Sequence, residues 1–293
     1  MDARGGEGLR VFGEAVAIVT GGASGIGAAL GRELARRGSR VVLADRDEEG
    51  VRAEADRLAA GSARAEAVAL DVRDAEAVEG VVARTFETHG RLDYLFNNAG
   101  IGVGGWAEEL DLERDWRYTV EVNLMGPVHG VQAAYPRMVK QGFGHIVNTA
   151  SMAAFMATAL TAPYGTTKHA VVGLSRALRV EGALRGVRVS VLCPGVIRTP
   201  ILQDGGKYGR APITDLSAET KAAMWERLRP MAPEVFAVKV LDAVARNKGI
   251  IIVPAWWHAL RLLNVLFPSL SEALGRRELR RMAPLLHRQQ AGD

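Results

Sequence analysis

Tyr164 and Lys168 stand four positions apart in a stretch with helical patterning, residues 163–184. That spacing puts both side chains on one helix face, about one turn apart. A phenol ordinarily loses its proton near pH ~10. A neighbouring ammonium favours the phenolate and lowers that value. A tyrosine poised this way gives a proton to a carbonyl oxygen or takes one from an alcohol. The pair alone recurs by chance, so a third group matters. Ser151 lies 13 residues before Tyr164, just past the apolar run 144–149. A hydroxyl there could hold a substrate oxygen beside the tyrosine.

Proton transfer to a carbonyl needs a hydride donor, and a second constellation supplies a place for one. Thr20-Gly21-Gly22-Ala23-Ser24-Gly25-Ile26-Gly27 follows the apolar run 15–19 and opens a helical pattern, 25–37. Strand, glycine turn and helix start make an anion site, because backbone N–H groups and the helix dipole point at it. The glycines let the backbone reach a pyrophosphate with no Cβ in the way. A second apolar run, 40–44, ends in Asp45, 18 residues after Gly27. At that separation a carboxylate accepts hydrogen bonds from an adenosine ribose. It also repels a 2′-phosphate, so NAD is expected over NADP. Arg46 beside it is the route by which NADP could still bind.

Gly21, Gly25 and Gly27 make G-x-x-x-G-x-G. Together with Tyr-x-x-x-Lys and the Ser151 spacing, this resembles the short-chain dehydrogenase/reductase family over residues 12–200. The resemblance implies a catalytic tetrad of Asn123, Ser151, Tyr164 and Lys168. Asn123 falls in Asn-Leu-Met-Gly, where the family holds a water beside the lysine. Lys168 would also bond the nicotinamide ribose. Cofactor contacts carried over are Gly21, Ser24, Gly25, Ile26 and Gly27 in the turn, with Ser24 standing where NADP-using relatives place a basic residue. Asp45 and Arg46 follow at the ribose. Asp71 and Val72 would meet the adenine, with Asp74 left to cap a helix. Asn98, Ala99 and Gly100 lie in Asn-Asn-Ala-Gly, near the adenosine ribose. Pro194, Gly195, Ile197 and Thr199 would form the loop that binds the nicotinamide carboxamide.

The elements that must position these groups alternate regularly. Strand candidates are 15–19, 40–44, 65–70, 92–96, 144–149, 187–193 and 249–253; helical patterns fill 25–37, 47–60, 74–89, 112–140, 163–184 and 233–247. Such alternation implies βαβ units and an α/β fold, a doubly wound parallel sheet of Rossmann type. The expected organisation is a catalytic domain over 1–254 and a C-terminal helical extension over 255–293. An insertion at about 200–231, helical from Ser217 to Arg229, would cross the sheet edge where ligands bind.

The expected function is an NAD-dependent oxidoreductase interconverting a primary or secondary alcohol and its carbonyl. Met152, Phe155 and Met156 follow Ser151 and favour an apolar substrate of the steroid, retinoid or long-chain alcohol class. The alternative is a non-catalytic nucleotide-binding scaffold or sensor, against which the intact tetrad counts. The resemblance also implies a homodimer or homotetramer.

Composition bounds the rest. The 293 residues are 48% hydrophobic and 24% charged, an ordinary globular balance. Six histidines and one cysteine show no metal-ligand spacing, so no metal is expected. The polar N-terminal residues lack a signal-like apolar core, and a cytoplasmic location is expected. The net charge of +4 resides mostly in the tail, which argues against nucleic-acid binding by the body. In the tail, Trp256, Leu260, Leu263 and Phe267 share a helical face, which Leu262 and Leu266 widen. A second helix is expected from Ser269, capped by Glu272, carrying Arg276, Arg277, Arg280 and Arg281. Packing against protein, as a pocket cap or subunit interface, is the first reading; an anionic membrane surface is the second.

Overall fold

The computed structural model describes residues 8–203, 205–210, 223 and 225–286, the side chains of 282–286 excepted. Seven strands form one sheet: β1 (Val16–Thr20), β2 (Arg40–Asp45), β3 (Ala65–Ala69), β4 (Tyr94–Asn97), β5 (Gly144–Thr149), β6 (Val187–Pro194) and β7 (Ile250–Val253). Their order is β3-β2-β1-β4-β5-β6-β7, with every pairing parallel. Crossovers run outward from β1 in one direction and then, from β4 on, in the other. The switch therefore opens a crevice at the carboxyl ends of β1 and β4.

Helices cover both faces, so the inner strands are apolar throughout. The alternation of side chains along a strand divides β1 between two cores. Ala17 and Val19 join Leu30 and Leu34 of α1 (Gly25–Arg36), Val51 of α2 (Glu48–Ala60) and Phe236 and Val240 of α6 (Pro233–Ala245). Val16 and Ile18 join Val78 and Val82 of α3 (Ala75–His89) and Val131 and Met138 of α4 (Gly126–Gln141). Val171 and Val172 of α5 (Ala162–Ala183) pack with Val191 and Cys193 of β6.

Three local features depart from the sequence pattern. β4 begins at Tyr94, because the Leu92 N–H and carbonyl are both taken by the Gln141 side chain, at 3.2 and 3.0 Å. The segment before α4 is not a regular helix: π-helical turns Leu112–Arg117 and Glu121–Met125 flank Tyr118–Val120. In the tail, α7 (Trp257–Leu266) and α8 (Pro268–Leu286) follow β7. Trp257 is the buried tryptophan, whereas Trp256 and Phe267 of the expected inner face are exposed. The cause is local: the Trp257 ring lies over Gly195, whose missing Cβ leaves the space. Glu272 faces Arg276 at 3.6 Å. The helix expected over 217–229 falls largely outside the described residues.

Candidate active site

The glycine turn has the geometry an anion requires. Gly21 and Gly25 adopt left-handed φ values of +70° and +55°, which side chains disfavour. A Cβ on Gly27 would lie 1.9 Å from the Gly21 carbonyl oxygen, so only glycine closes the turn. Ser24, the N-cap of α1, makes no side-chain cap bond, which leaves the first-turn N–H groups facing outward. These features fit a dinucleotide pyrophosphate.

Asp45 ends β2 with its carboxylate turned to this turn. One oxygen accepts from the Ala23 N–H at 3.0 Å and the other from the Asp47 N–H at 2.9 Å. Arg46 donates to the Tyr118 hydroxyl at 3.0 Å and lies 3.7 Å from the Asp71 carboxylate. Asp71 is gripped by Arg73, whose hydrogen bonds hold it below the usual carboxylate range. Val72 packs on Gly126, and its carbonyl meets His129 Nδ1 at 2.9 Å. Asp74 caps α3, accepting from the Ala77 N–H at 2.9 Å.

Asn98 and Ala99 are fastened from below. Both backbone N–H groups donate to the Thr20 hydroxyl, at 2.9 and 3.0 Å. The Asn98 amide donates to the Thr20 carbonyl at 3.1 Å and accepts from the Thr149 hydroxyl at 3.3 Å. It therefore ties the ends of β1, β4 and β5 together. Across the turn, the Thr199 Cβ would lie 3.2 Å from a Cβ on Gly25. Val196 and Ile197 are buried, and Met231 pins them: its N–H donates to the Val196 carbonyl at 3.0 Å, and its carbonyl accepts from Arg198 at 2.9 Å.

The reacting groups converge beside Gly100. A Cβ there would meet Asn123 Oδ1 at 3.2 Å and Lys168 Nζ at 3.3 Å. Asn123 is fully buried in the second π-helical turn, a widening typical of functional positions. Its amide clasps Ile101, accepting from the N–H at 2.8 Å and donating to the carbonyl at 2.9 Å. Lys168 Nζ donates to the Thr149 carbonyl at 3.0 Å and lies 5.5 Å from the centre of the Tyr164 ring. Ser151 accepts from the Ala153 N–H at 3.1 Å, and its hydroxyl lies close enough to the Tyr164 phenol to favour the phenolate. His169 turns away, its Nδ1 on the Gly165 carbonyl at 2.8 Å.

The electrostatics differ from the simple tyrosine–ammonium picture. Burial pushes the Tyr164 phenol above its ordinary value, against a lowering by the Ser151 hydroxyl. Burial also pulls Lys168 down from 10.5 to about 8. The ammonium faces the ring and a carbonyl here, so desolvation outweighs its pull on the phenol. Cys193 is buried, which pushes its thiol up to about 12 and makes it a poor nucleophile.

The insertion contributes residues that motif reading did not single out. Gly102 donates to the Gly205 carbonyl and accepts from the Arg210 N–H, both at 2.9 Å. Arg210 reaches buried Asp115 at 2.7 Å. So pinned, the arm 205–210 brings Lys207 to Asp47 at 2.7 Å and Tyr208 under the Arg46 guanidinium, 4.8 Å from the ring centre. Tyr118, which accepts from Arg46, was likewise not singled out. Met152 is buried core, while Phe155 and Met156 are half-buried against it. No group of three potential metal ligands occurs among the described residues.

A switch-point crevice with a glycine turn at the head of α1 defines a Rossmann-type dinucleotide-binding protein. The chain belongs to the short-chain dehydrogenase/reductase family: the short chain dehydrogenase profile matches residues 15–207. It is 42% identical over 217 residues to 1-deoxy-11-beta-hydroxypentalenate dehydrogenase of Streptomyces exfoliatus, covering 72% of this chain and 78% of that protein. Over 263 residues it is 36% identical to the probable oxidoreductase EphD of Mycobacterium tuberculosis, 88% of this chain but 44% of EphD. The structure resembles a short-chain dehydrogenase/reductase from Burkholderia phymatum in complex with NAD, with TM-score 0.78 and 30% identity, covering 89% of this chain and 96% of the other. It also resembles a putative gluconate 5-dehydrogenase from Beutenbergia cavernae with bound NADP, with TM-score 0.73 and 34% identity over 85% and 100% of the two chains. The family comprises NAD(P)-dependent oxidoreductases that act on hydroxyl groups.

Proposed function

We propose that this chain is an NAD-preferring dehydrogenase or carbonyl reductase acting on an apolar alcohol–carbonyl pair. The observation that carries the proposal is the convergence of Asn123 and Lys168 on Gly100, with the Lys168 ammonium 5.5 Å from the centre of the Tyr164 ring. The bound nicotinamide supplies hydride chemistry at its C4 carbon. This chain's residues do the rest. The glycine turn and the N-terminus of α1 hold the pyrophosphate. The Asp45 carboxylate accepts from the adenosine ribose hydroxyls. Arg46 would stand beside the ribose 2′ position, and Asp71 and Val72 would meet the adenine. Asn98, Ala99 and Gly100 would line the adenosine ribose, and the Pro194–Thr199 loop would bind the carboxamide.

Ser151 orients the substrate oxygen. Tyr164 donates its proton to that oxygen in reduction and accepts one from the alcohol in oxidation. Lys168 stands over the Tyr164 ring and reaches the nicotinamide ribose. Asn123 holds the loop that Lys168 borders and a water beside the ammonium. The chemistry belongs to residues 1–254, with the insertion at about 200–231 over the cleft and the extension from 255 against it. Half-buried Phe155 and Met156 support an apolar substrate wall. The hydroxypentalenate relative is a dehydrogenase by name, which supports the alcohol–carbonyl reaction. A homodimer or homotetramer is the proposed assembly; Val180 and Leu184, largely exposed at the end of α5, offer apolar surface for it.

The test is Tyr164→Phe against a panel of steroid, retinoid and long-chain alcohols. Turnover is expected to fall at least about 100-fold, with NAD affinity little changed. Near-normal turnover by the variant would remove Tyr164 from the chemistry. A wild type that binds NADH yet turns over no alcohol or ketone would favour the sensor alternative.

A further inference from the structure

The helix α7 is apolar on its outer side as well as its inner one. It exposes Leu262 (58%), Val265 (62%) and Leu266 (58%), while Arg261 and Asn264 are partly buried on its inner side. A helix on an aqueous surface turns its polar residues outward. Exposed Phe267, Leu270 and Leu274 extend this band onto α8, and Trp256 lies exposed at its other end.

The inner side is already occupied. Trp257 and Leu260 pack with the Cys193 cluster, and the Arg261 guanidinium lies over the Phe155 ring, 4.9 Å from its centre. On α8, a Cβ at Gly275 would lie 3.3 Å from the Ala157 carbonyl oxygen. Both helices therefore rest on the segment that follows Ser151, and only their outer side is free for a partner.

Charge indicates which partner. Residues 255–271 contain no Asp or Glu, and α8 holds four exposed arginines, Arg276, Arg277, Arg280 and Arg281, against two glutamates. Each glutamate faces one arginine at 3.6 Å, Glu272 with Arg276 and Glu278 with Arg281. Arg277 and Arg280 stand exposed alongside. No described helix is long and apolar enough to cross a membrane. A two-fold contact with a second copy would bring two patches of the same net positive charge together, which disfavours that partner.

We propose that the outer face of α7 and the first half of α8 lies on an anionic lipid surface, with the apolar band at the acyl boundary and the arginines among the headgroups. The segment 155–157 is thereby held next to the bilayer. The docking is independent of which alcohol the enzyme uses.

The experiment is sedimentation of the full chain with phosphatidylcholine vesicles, with and without phosphatidylglycerol. The wild type is expected to sediment with the anionic vesicles and to be released by salt. Leu262→Ser/Leu266→Ser and Arg277→Gln/Arg280→Gln should each reduce the bound fraction at least about ten-fold, with NADH binding unchanged as the control for folding. The proposal is overturned if the wild type stays in the supernatant, or if both variants sediment as it does. It is overturned equally if the leucine variant only lowers the solution mass from oligomer to monomer, which would assign the face to a second copy.

Discussion

Lys168 Nζ donates to the backbone carbonyl of Thr149 at 3.0 Å, across the junction between α5 and the end of β5. This single bond fixes the height of the ammonium above the Tyr164 ring. The same burial that makes the bond possible holds the lysine at about 8.

A pH-dependent stability follows from that burial. Below about 8 the folded chain keeps a charge out of water that the unfolded chain solvates, and the cost is fully present. Between about 8 and 10.5 the folded lysine is neutral while the unfolded one still binds its proton. The unfolded state then binds more protons, so stability from this group rises with pH across that window. Lys168→Met removes the charge and keeps most of the volume. Its melting temperature is expected to exceed that of the wild type at pH ~7, with the gap closing toward pH ~10. A gap independent of pH would mean that the Thr149 bond offsets the desolvation.

Cofactor choice should turn on Asp45. The carboxylate is fixed by two backbone N–H groups at 3.0 and 2.9 Å, so it does not swing away from a 2′-phosphate. Asp45→Ser removes the repulsion and leaves Arg46 as the nearest cation. The ratio of kcat/KM for NADP over NAD should rise at least about ten-fold, which corresponds to ~1.4 kcal/mol of lost repulsion. A wild type that already prefers NADP would show that Arg46 outweighs Asp45.

How far the sequence could carry this reading depended on the range of the signals. The glycine turn, Tyr164 and Lys168 declare themselves because their chemistry fixes local spacing. The parallel, doubly wound character of the sheet follows from the alternation of strands and helices, but the reversal of strand order between β1 and β4 does not. What spacing does not reveal is contact between distant segments. Lys207 meets Asp47, and Arg210 meets Asp115, across separations that no motif encodes. Arg73 as the partner of Asp71 was nearer to hand, two residues away. In the tail, helical periodicity marked an apolar face, yet the choice between Trp256 and Trp257 depended on the space over Gly195, a residue some sixty positions earlier.

The Lys207–Asp47 contact should slow cofactor release. The arm 205–210 crosses from Gly102 to the residues beyond Asp45, beside the proposed adenosine site. Lys207 is largely exposed, so solvent screens the ion pair and it holds the arm only weakly. Lys207→Ala is therefore expected to raise the NADH dissociation rate by no more than about five-fold. Tyr208→Ala, which loses the stacking on Arg46, should act in the same direction. Stopped-flow release of NADH measures both; unchanged rates in the two variants would show that the arm does not retain the cofactor.

Gly195 offers a test of how the extension is joined to the body. Its backbone is not left-handed, so its glycine is required by space alone. A Cβ there would lie 2.0 Å from Trp257 Nε1 and 2.4 Å from Cδ1, too close for small adjustments. Gly195→Ala must therefore displace a buried indole that packs with Val191, Cys193, Val196 and Ile252. Overpacking of this kind costs about 1–3 kcal/mol. In a chain of this size each kcal/mol lowers the melting temperature by roughly 2–4 °C. Trp257→Leu alone should also destabilise, by leaving a cavity. The double variant Gly195→Ala/Trp257→Leu places the new methyl in the space the indole vacates. Its loss should be at least about 1 kcal/mol smaller than the sum of the single losses, as expected for residues in contact. Additive losses would mean that the alanine is accommodated by movement of the 194–199 loop. In that case NADH affinity, not stability, would record the substitution.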